Sequence, residues 1–135
     1  GCGRGVVPVG RGRAGRVGDH IQAARALVMP SIWQEPFGRV AAEALAYGRP
    51  VVTTGRGASS EVITADSGWV TGPDAAALTL ALDEAAADDD AVAARGAAGR
   101  DRHAKLFSPE ATTAALVDIY REAIEGTERP GDRAG

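Results

Sequence analysis

Apolar and polar residues follow each other in blocks, and the clearest succession of blocks runs from residue 26 to residue 54. Residues 26–29 (ALVM) form the short apolar run of a buried strand, and Pro30 ends it. Residues 39–47 hold good helix formers and no breaker, and residues 51–53 (VVT) repeat the buried-strand pattern. Strand, helix and strand in this order form the unit from which parallel sheets are built.

Proline and glycine mark the predicted ends of this helix. Pro36 and Gly38 indicate its start, because proline suits the first helical turn. Gly48 fits the left-handed position just after a helix, and Pro50 prevents continuation.

The second half of the chain is predicted to be mostly helical. Asp74 is placed to cap a helix over residues 75–87, in which Leu78 and Leu82 face the core. An Asp-Asp-Asp run then ends this helix and starts another, residues 91–107, which two glycines weaken.

The last helix begins at Ser108 and Pro109, an N-cap followed by proline at the first helical position. Its apolar residues form one stripe, which we expect to face the core: Leu116, Ile119, Tyr120 and Ile124. Near the start of the chain, Asp19 is predicted to cap a short helix over residues 20–25. Trp69 and Val70 are predicted to form a short strand after a turn.

Composition restricts the class of protein. The length of 135 residues allows one domain at most, with a modest core. Aromatic residues make up only 4% of the chain, so alanine supplies much of its apolar surface. The net charge of −3 favours neither nucleic acid nor an anionic membrane as a partner, and no nucleic-acid partner is expected. A single cysteine, Cys2, excludes an internal disulfide, and without a signal-peptide pattern the expected location is cytoplasmic.

Two carboxylates flank the predicted start of the central helix. Glu35 precedes it and Glu43 lies within it; the step from Pro36 to Glu43 turns about 700° and rises roughly 10 Å, so both ends share a face. Between them lie free backbone N–H groups, and the helix N-terminus adds partial positive charge, which together favour an anion. These N–H groups belong to Phe37, Gly38 and Arg39.

Such a site suits an elongated ligand with hydroxyl groups at both ends and phosphate in the middle. A nucleotide sugar has this shape, with a hexose, a diphosphate and a ribose. The alternative is that Glu43 is a solvated helix residue and Glu35 an ordinary loop charge. Trp33, in the same loop, either flanks a ligand or packs the loop.

The chain resembles a known family at these residues. Glu35-Pro36-Phe37-Gly38, the following Glu43-Ala44-Leu45-Ala46, and Gly48-Arg49-Pro50-Val51-Val52 are similar to the donor-site signature of family 4 glycosyltransferases. The GASSEV segment of residues 57–62 is similar to the family's Gly-Gly-x-x-Glu turn, with Ala58 in place of the second glycine. Weaker similarity extends the resemblance over roughly residues 15–124.

The resemblance implies a fold, an activity and a role for each matching residue. The fold would be part of the C-terminal domain of a GT-B enzyme, a Rossmann-like α/β parallel sheet of three to four strands flanked by helices. The enzyme would transfer sugar with retention: Glu35 would bind the hydroxyls of the transferred sugar as the catalytic residue, and Glu43 would hold the ribose. Phe37, Gly38 and Arg39 would complete the donor-binding site.

The resemblance also implies what lies outside this chain. It would begin midway through the donor domain, so an N-terminal acceptor domain or partner chain would be missing, and the chain alone would be inactive. Any peripheral membrane association would come through that missing part. No metal or other cofactor is expected, because no His, Cys and Asp cluster has ligand spacing.

The N-terminal segment differs from the rest, with seven glycines and four arginines in residues 1–18. We interpret it as a flexible Gly/Arg-rich leader. It also matches a dinucleotide fingerprint at Gly10-x-Gly12-x-x-Gly15, but Gly18 interrupts any following helix. Contact with RNA is a further alternative, although interleaved aromatic residues are missing.

The predicted organisation is therefore a leader, a partial nucleotide-sugar-binding domain and a disordered tail, at residues 1–18, 19–125 and 126–135. Two functional hypotheses remain open. The first is the donor-binding half of a glycosyltransferase, and the second is a non-catalytic module of the same fold that binds a nucleotide or a partner.

Overall fold

Three short parallel strands form the centre of the molecule, in the spatial order β1-β2-β3. They are β1 (Leu27–Met29), β2 (Val51–Thr53) and β3 (Gly68–Val70), with Val52 of β2 opposite Val28 on one side and Trp69 on the other. The computed structural model describes residues 16–126. Within them the predicted α/β fold with a parallel sheet of three strands is confirmed.

Six helices surround this sheet in the described part of the chain. They are α1 (Val17–Ala23), α2 (Arg39–Ala46), α3 (Ser59–Val62), α4 (Ala75–Ala87), α5 (Asp89–Leu106) and α6 (Pro109–Gly126). None of the helices between residues 16 and 126 is both long and apolar enough to span a membrane. The proposed dinucleotide fingerprint, Cys2, most of the leader and the tail after Gly126 lie outside the described residues.

The alternation of side chains along the strands creates a hydrophobic cluster on each face of the sheet. Val51 points to one face and packs in a cluster with Ala44 and Leu45 of α2. Val52 points to the other and packs in a cluster with Trp69 and Ala81. Both faces of β2 are therefore buried, which explains its uninterrupted apolar sequence.

Side-chain caps begin the last three helices as predicted. The Asp74 carboxylate accepts a hydrogen bond from the Ala77 N–H at 2.9 Å, and Asp88 accepts one from Ala91 at 2.8 Å. The Ser108 hydroxyl oxygen accepts a bond from the third residue of α6. Each cap satisfies a backbone donor that the helix itself leaves unpaired.

The two glycines of α5 lie where this helix crosses α2. A Cβ atom on Gly96 would lie 2.3 Å from the Gly48 carbonyl oxygen, and one on Gly99 would lie 2.8 Å from the Leu45 Cδ2 atom. Both glycines are buried. The sequence indicated that they weaken α5, but the structure shows that they allow its close approach to α2.

Two predicted helix starts are wrong. The first helix covers Val17–Ala23 rather than residues 20–25, and its N-cap is Arg16, which makes no side-chain capping bond; Asp19 lies within the first turn. Helix α2 begins at Arg39, so Pro36 lies in the preceding loop. Gly38 breaks the helical path there because its backbone is left-handed, with φ of 75°.

The predicted orientation of the last helix is also wrong. None of the residues of α6 is buried within the described part of the chain, and the stripe of Leu116, Ile119, Tyr120 and Ile124 is exposed. The helix packs beside α5. Its amphipathic pattern correctly predicted a helix, but the pattern does not specify which surface covers the apolar stripe.

Candidate functional site

The predicted site residues lie around the loop that joins β1 to α2. This loop, residues 30–38, follows the carboxyl end of β1, and Thr54 and the glycine-rich loop 55–58 follow the carboxyl end of β2. Because β1 and β2 are parallel neighbours, the two loops meet at the same edge of the sheet. That edge is where open α/β sheets bind ligands.

The start of α2 has no neutralising partner of its own. Gly38 is its N-cap and supplies no side-chain bond, and the first turn contains no acidic residue. The backbone N–H groups of Arg39 and Val40 have no acceptor among residues 16–126. In contrast to α4, α5 and α6, this helix leaves its donors and its partial positive charge available to an anion.

The backbone of Glu35 is fixed against the glycine-rich loop. Glu35 forms an isolated parallel bridge with Gly57, and its carbonyl oxygen accepts a hydrogen bond from the Ala58 N–H at 2.8 Å. Gly57 has φ of 65°, and a Cβ atom there would lie 2.4 Å from the Glu35 carbonyl oxygen. Only glycine therefore fits beside the Glu35 backbone.

The side chain of Glu35 lies beside the N-terminus of α2. Its Cγ atom is 3.5 Å from the position that a Cβ atom would take on Gly38, and the residue is half-buried. Gly38 itself is buried between this side chain and Met29. The Cγ atom of Glu35 thus lies close to the uncapped end of the helix.

Glu43 is exposed in the second half of α2. It lies four residues after Arg39, about 6 Å along the axis and on the same face. Glu43 therefore shares a helix face with Arg39. The prediction that Pro36 and Glu43 share a helix face is wrong, because residues 36–38 are not helical. Neither Arg39 nor Glu43 forms an ion pair within residues 16–126.

Phe37 is a partly exposed residue with an aromatic neighbour. Its ring meets Phe107 edge to face, with centroids 5.9 Å apart and planes at 76°. Phe107, just after α5, packs against the cluster beneath α2. Phe37 thus connects the loop to the end of α5, a contact that the sequence did not predict.

Alanine at position 58 fits the structure although the resembling turn has glycine there. Ala58 has φ of −67° and ψ of −7°, an ordinary right-handed conformation, and serves as the N-cap of α3. The side chain of Arg56, between Gly55 and Gly57, is exposed and forms no ion pair in the described part of the chain.

Thr54 is a positioning residue that sequence reasoning missed. Its hydroxyl donates a hydrogen bond to the Ser31 carbonyl oxygen and so holds the start of the loop against β2. The residue is buried. A polar residue directly after a buried strand was the available signal for this contact.

Other surfaces hold two clefts. One of 370 Å³ lies beside the turn before β3, lined by Asp66, Ser67, Asp101 and Lys105 among others, and one of 290 Å³ lies along β3 beside Trp69.

Between residues 16 and 126 no three His, Cys, Asp or Glu residues are grouped as metal ligands would be.

The profile of the family described as glycosyl transferases group 1 matches residues 4–102. The chain belongs to this family. Its α/β sheet is consequently that of the C-terminal part of a GT-B glycosyltransferase.

Similar proteins include several named glycosyltransferases. The chain is 38% identical over 125 residues to a D-inositol 3-phosphate glycosyltransferase of Streptomyces avermitilis. The matched region covers 90% of this chain and 26% of the relative. The chain is 36% identical over 115 residues to a glycogen synthase of Mycobacterium tuberculosis, covering 84% and 28% respectively.

A solved structure with the same fold is that of a sucrose-phosphate synthase from Thermosynechococcus elongatus. The TM-score is 0.71 at 34% identity, over 80% of this chain and 27% of that protein. The chain thus spans about a quarter of the length of the relatives it matches.

Proposed function

We propose that this chain belongs to the donor-binding half of a retaining glycosyltransferase that takes sugar from a nucleotide sugar. The observation that carries the proposal is the uncapped N-terminus of α2 with Glu35 beside it and Glu43 one turn beyond Arg39. Membership of the group 1 glycosyltransferases supports it. The proposed location is the cytoplasm.

The proposed donor lies across the start of α2. Its diphosphate accepts hydrogen bonds from the N–H groups of Arg39 and Val40, and the partial charge of the helix stabilises it. Glu43 accepts hydrogen bonds from the ribose hydroxyls. Gly38 leaves room for the ligand to approach the backbone, and Phe37 borders the sugar.

Glu35 is the proposed catalytic residue. Positive charge develops on the transferred sugar as its bond to phosphate breaks. A carboxylate held beside the sugar stabilises that charge in the transition state more than in the bound donor. The clamp on the Glu35 backbone by Gly57 and Ala58 supports this role, because electrostatic stabilisation requires a fixed group.

Binding and transfer need different parts of the enzyme in this proposal. The chain spans about a quarter of its relatives, and an acceptor-binding domain is proposed to come from an N-terminal domain or a partner chain. Holding two substrates in one geometry contributes about 7–11 kcal/mol to catalysis. We therefore expect residues 1–135 alone to bind donor but to transfer sugar poorly.

Titration calorimetry tests the donor site directly. The ligands are uridine, adenosine and guanosine diphosphate, each free and as its glucose ester. At least one pair should bind, and Glu43→Gln should weaken that binding about 10- to 100-fold, because hydrogen bonds to a charged group contribute roughly 1.5–3 kcal/mol.

Glu122→Gln is the matched control, since Glu122 is exposed on α6 and has no proposed contact with the donor. It should bind like the unmodified chain. Equal affinity of the Glu43→Gln variant and this control would contradict the proposed ribose contact. Absence of binding by every nucleotide would contradict the donor site itself.

A further inference from the structure

The loop from β1 to α2 is fixed at two points and carries exposed apolar residues between them. Thr54 holds the Ser31 carbonyl at its start, and Gly57 and Ala58 hold the Glu35 backbone at its end. Between these contacts Ile32 and Trp33 are 80% and 60% exposed. The apolar side chains are thus presented to solvent by a constrained backbone.

Trp33 contrasts with the other tryptophan of the chain. Trp69 is only 6% exposed and packs in the core, under the guanidinium of Arg95. A buried indole contributes 150–250 Å² of contact area, most of which Trp33 leaves in water. Tryptophan is enriched at binding surfaces, where its large apolar ring becomes covered by the bound partner.

Trp33 is also close to the sugar end of the proposed site. It is two residues from Glu35, so their Cα atoms lie within roughly 7 Å of each other. The helix N-terminus and Glu43 follow Glu35 along the chain, whereas Trp33 precedes it. We take Trp33 to border the end of the proposed donor that extends past Glu35, away from the nucleotide.

We infer that Trp33 is a stacking surface for a sugar ring at the hexose end of the site. The inference rests on the proposed function. The Trp33 indole packs against the apolar C–H face of a pyranose or cyclitol ring, and the ring's hydroxyl groups remain free to bind Glu35. The ring belongs either to the transferred sugar or to the acceptor.

Nuclear magnetic resonance of the two indole N–H groups tests this inference in the 135-residue chain. Trp33→Phe removes one indole signal and so identifies it, and the loop position of residue 33 leaves the core intact. Each nucleoside diphosphate, its glucose ester, and the diphosphate together with free glucose or myo-inositol are added in turn. The backbone signals of Arg39 and Val40 report binding of the phosphate.

The diphosphate alone should shift the Arg39 and Val40 signals and leave Trp33 unchanged, while Trp69 stays constant throughout. A Trp33 shift with the glucose ester identifies the transferred sugar, and a shift only with the free ring compound identifies the acceptor. Trp33→Ala should then weaken binding of that ligand about 3- to 10-fold relative to the free diphosphate, and Trp33→Phe should restore most of it.

If Arg39 and Val40 shift while Trp33 responds to no ring compound, the stacking surface is wrong and the proposed function stands. Unchanged Arg39 and Val40 signals with every nucleotide would overturn the donor site, and this inference with it.

Discussion

The carbonyl oxygen of Glu35 lies 2.4 Å from the place that a Cβ atom would occupy on Gly57. The two residues also form a parallel bridge, although they are 22 positions apart in the chain. The contact joins the loop after β1 to the loop after β2. The backbone of Glu35, the proposed catalytic residue, is therefore held in place by Gly57, which has no side chain.

Gly57→Ala should disturb both stability and the site. The new methyl group meets the Glu35 backbone, and φ of 65° is unfavourable for alanine, so we expect a loss of about 1–3 kcal/mol in the free energy of unfolding. Denaturant unfolding measures it. Gly126→Ala is the control, because a Cβ atom there has no neighbour within 4 Å among residues 16–126. Equal stability of the two variants would show that the bridge does not hold the loop.

Glu35→Gln and Glu43→Gln should affect turnover differently in an active form of the enzyme. Glu43 contacts a part of the donor that does not change, so its loss should raise KM with little effect on kcat. Loss of the Glu35 charge should lower kcat, by about 100-fold if it equals the loss of one oxyanion donor. Steady-state kinetics and binding of the free nucleotide distinguish these effects. Equal loss of nucleotide affinity in both variants would mean that the sugar and ribose ends are wrongly assigned.

Donor binding should not depend on a divalent metal. We expect the backbone donors of Arg39 and Val40 and the partial charge of α2 to take the phosphate charge. Calorimetry of the best-binding nucleotide with and without a chelator measures this. Binding that disappears with the chelator and returns with added Mg²⁺ would refute the expectation.

Leu116→Ala should have only a small effect on stability. The sequence predicted a buried Leu116, for which truncation costs roughly 2–5 kcal/mol. The structure leaves this side chain 49% exposed, so we expect a loss below about 1 kcal/mol. Leu45→Ala, at 0% exposure, is the matched control and should lose about 2–5 kcal/mol. A large loss for Leu116→Ala would show that α6 docks on a surface in solution.

Gly96→Ala should destabilise the protein although alanine is the better helix former. Helix propensity alone predicts a gain of about 1 kcal/mol. The new methyl group, however, would lie 2.3 Å from the Gly48 carbonyl, so α5 must move away from α2. Thermal unfolding should show a lower Tm than that of the unmodified chain. A raised Tm would mean that the two helices separate at little cost.

The sequence predicted the elements whose signals are local. The apolar runs of β1 and β2, the caps Asp74, Asp88 and Ser108, and the left-handed Gly48 all depend on a few neighbouring residues. Glu35 was also placed correctly in a loop and Glu43 in a helix after β1, whereas Phe37 and Gly38, predicted at the helix N-terminus, lie in the loop. Their proposed roles stay predictions.

The features that the sequence did not predict depend on contacts between residues that are far apart in the chain. Helix α2 begins at Arg39 and not at Pro36 as predicted, because Gly38 adopts a left-handed conformation next to Met29 and Glu35. The contacts of Gly57 with Glu35 and of Phe37 with Phe107 join residues that the chain separates widely. The exposure of the α6 stripe depends on which surface lies opposite, which helical periodicity does not encode.

The buried face of α2 consists largely of alanine, with Ala41, Ala42 and Ala44 packed in the core. Side chains this short set a small separation between the helix and the sheet, and that separation places the helix N-terminus relative to Glu35. A larger residue at one of these positions would move α2 outward together with its free N–H groups. If the proposed donor site is right, its affinity for the donor depends on these core alanines as well as on the residues that contact the donor.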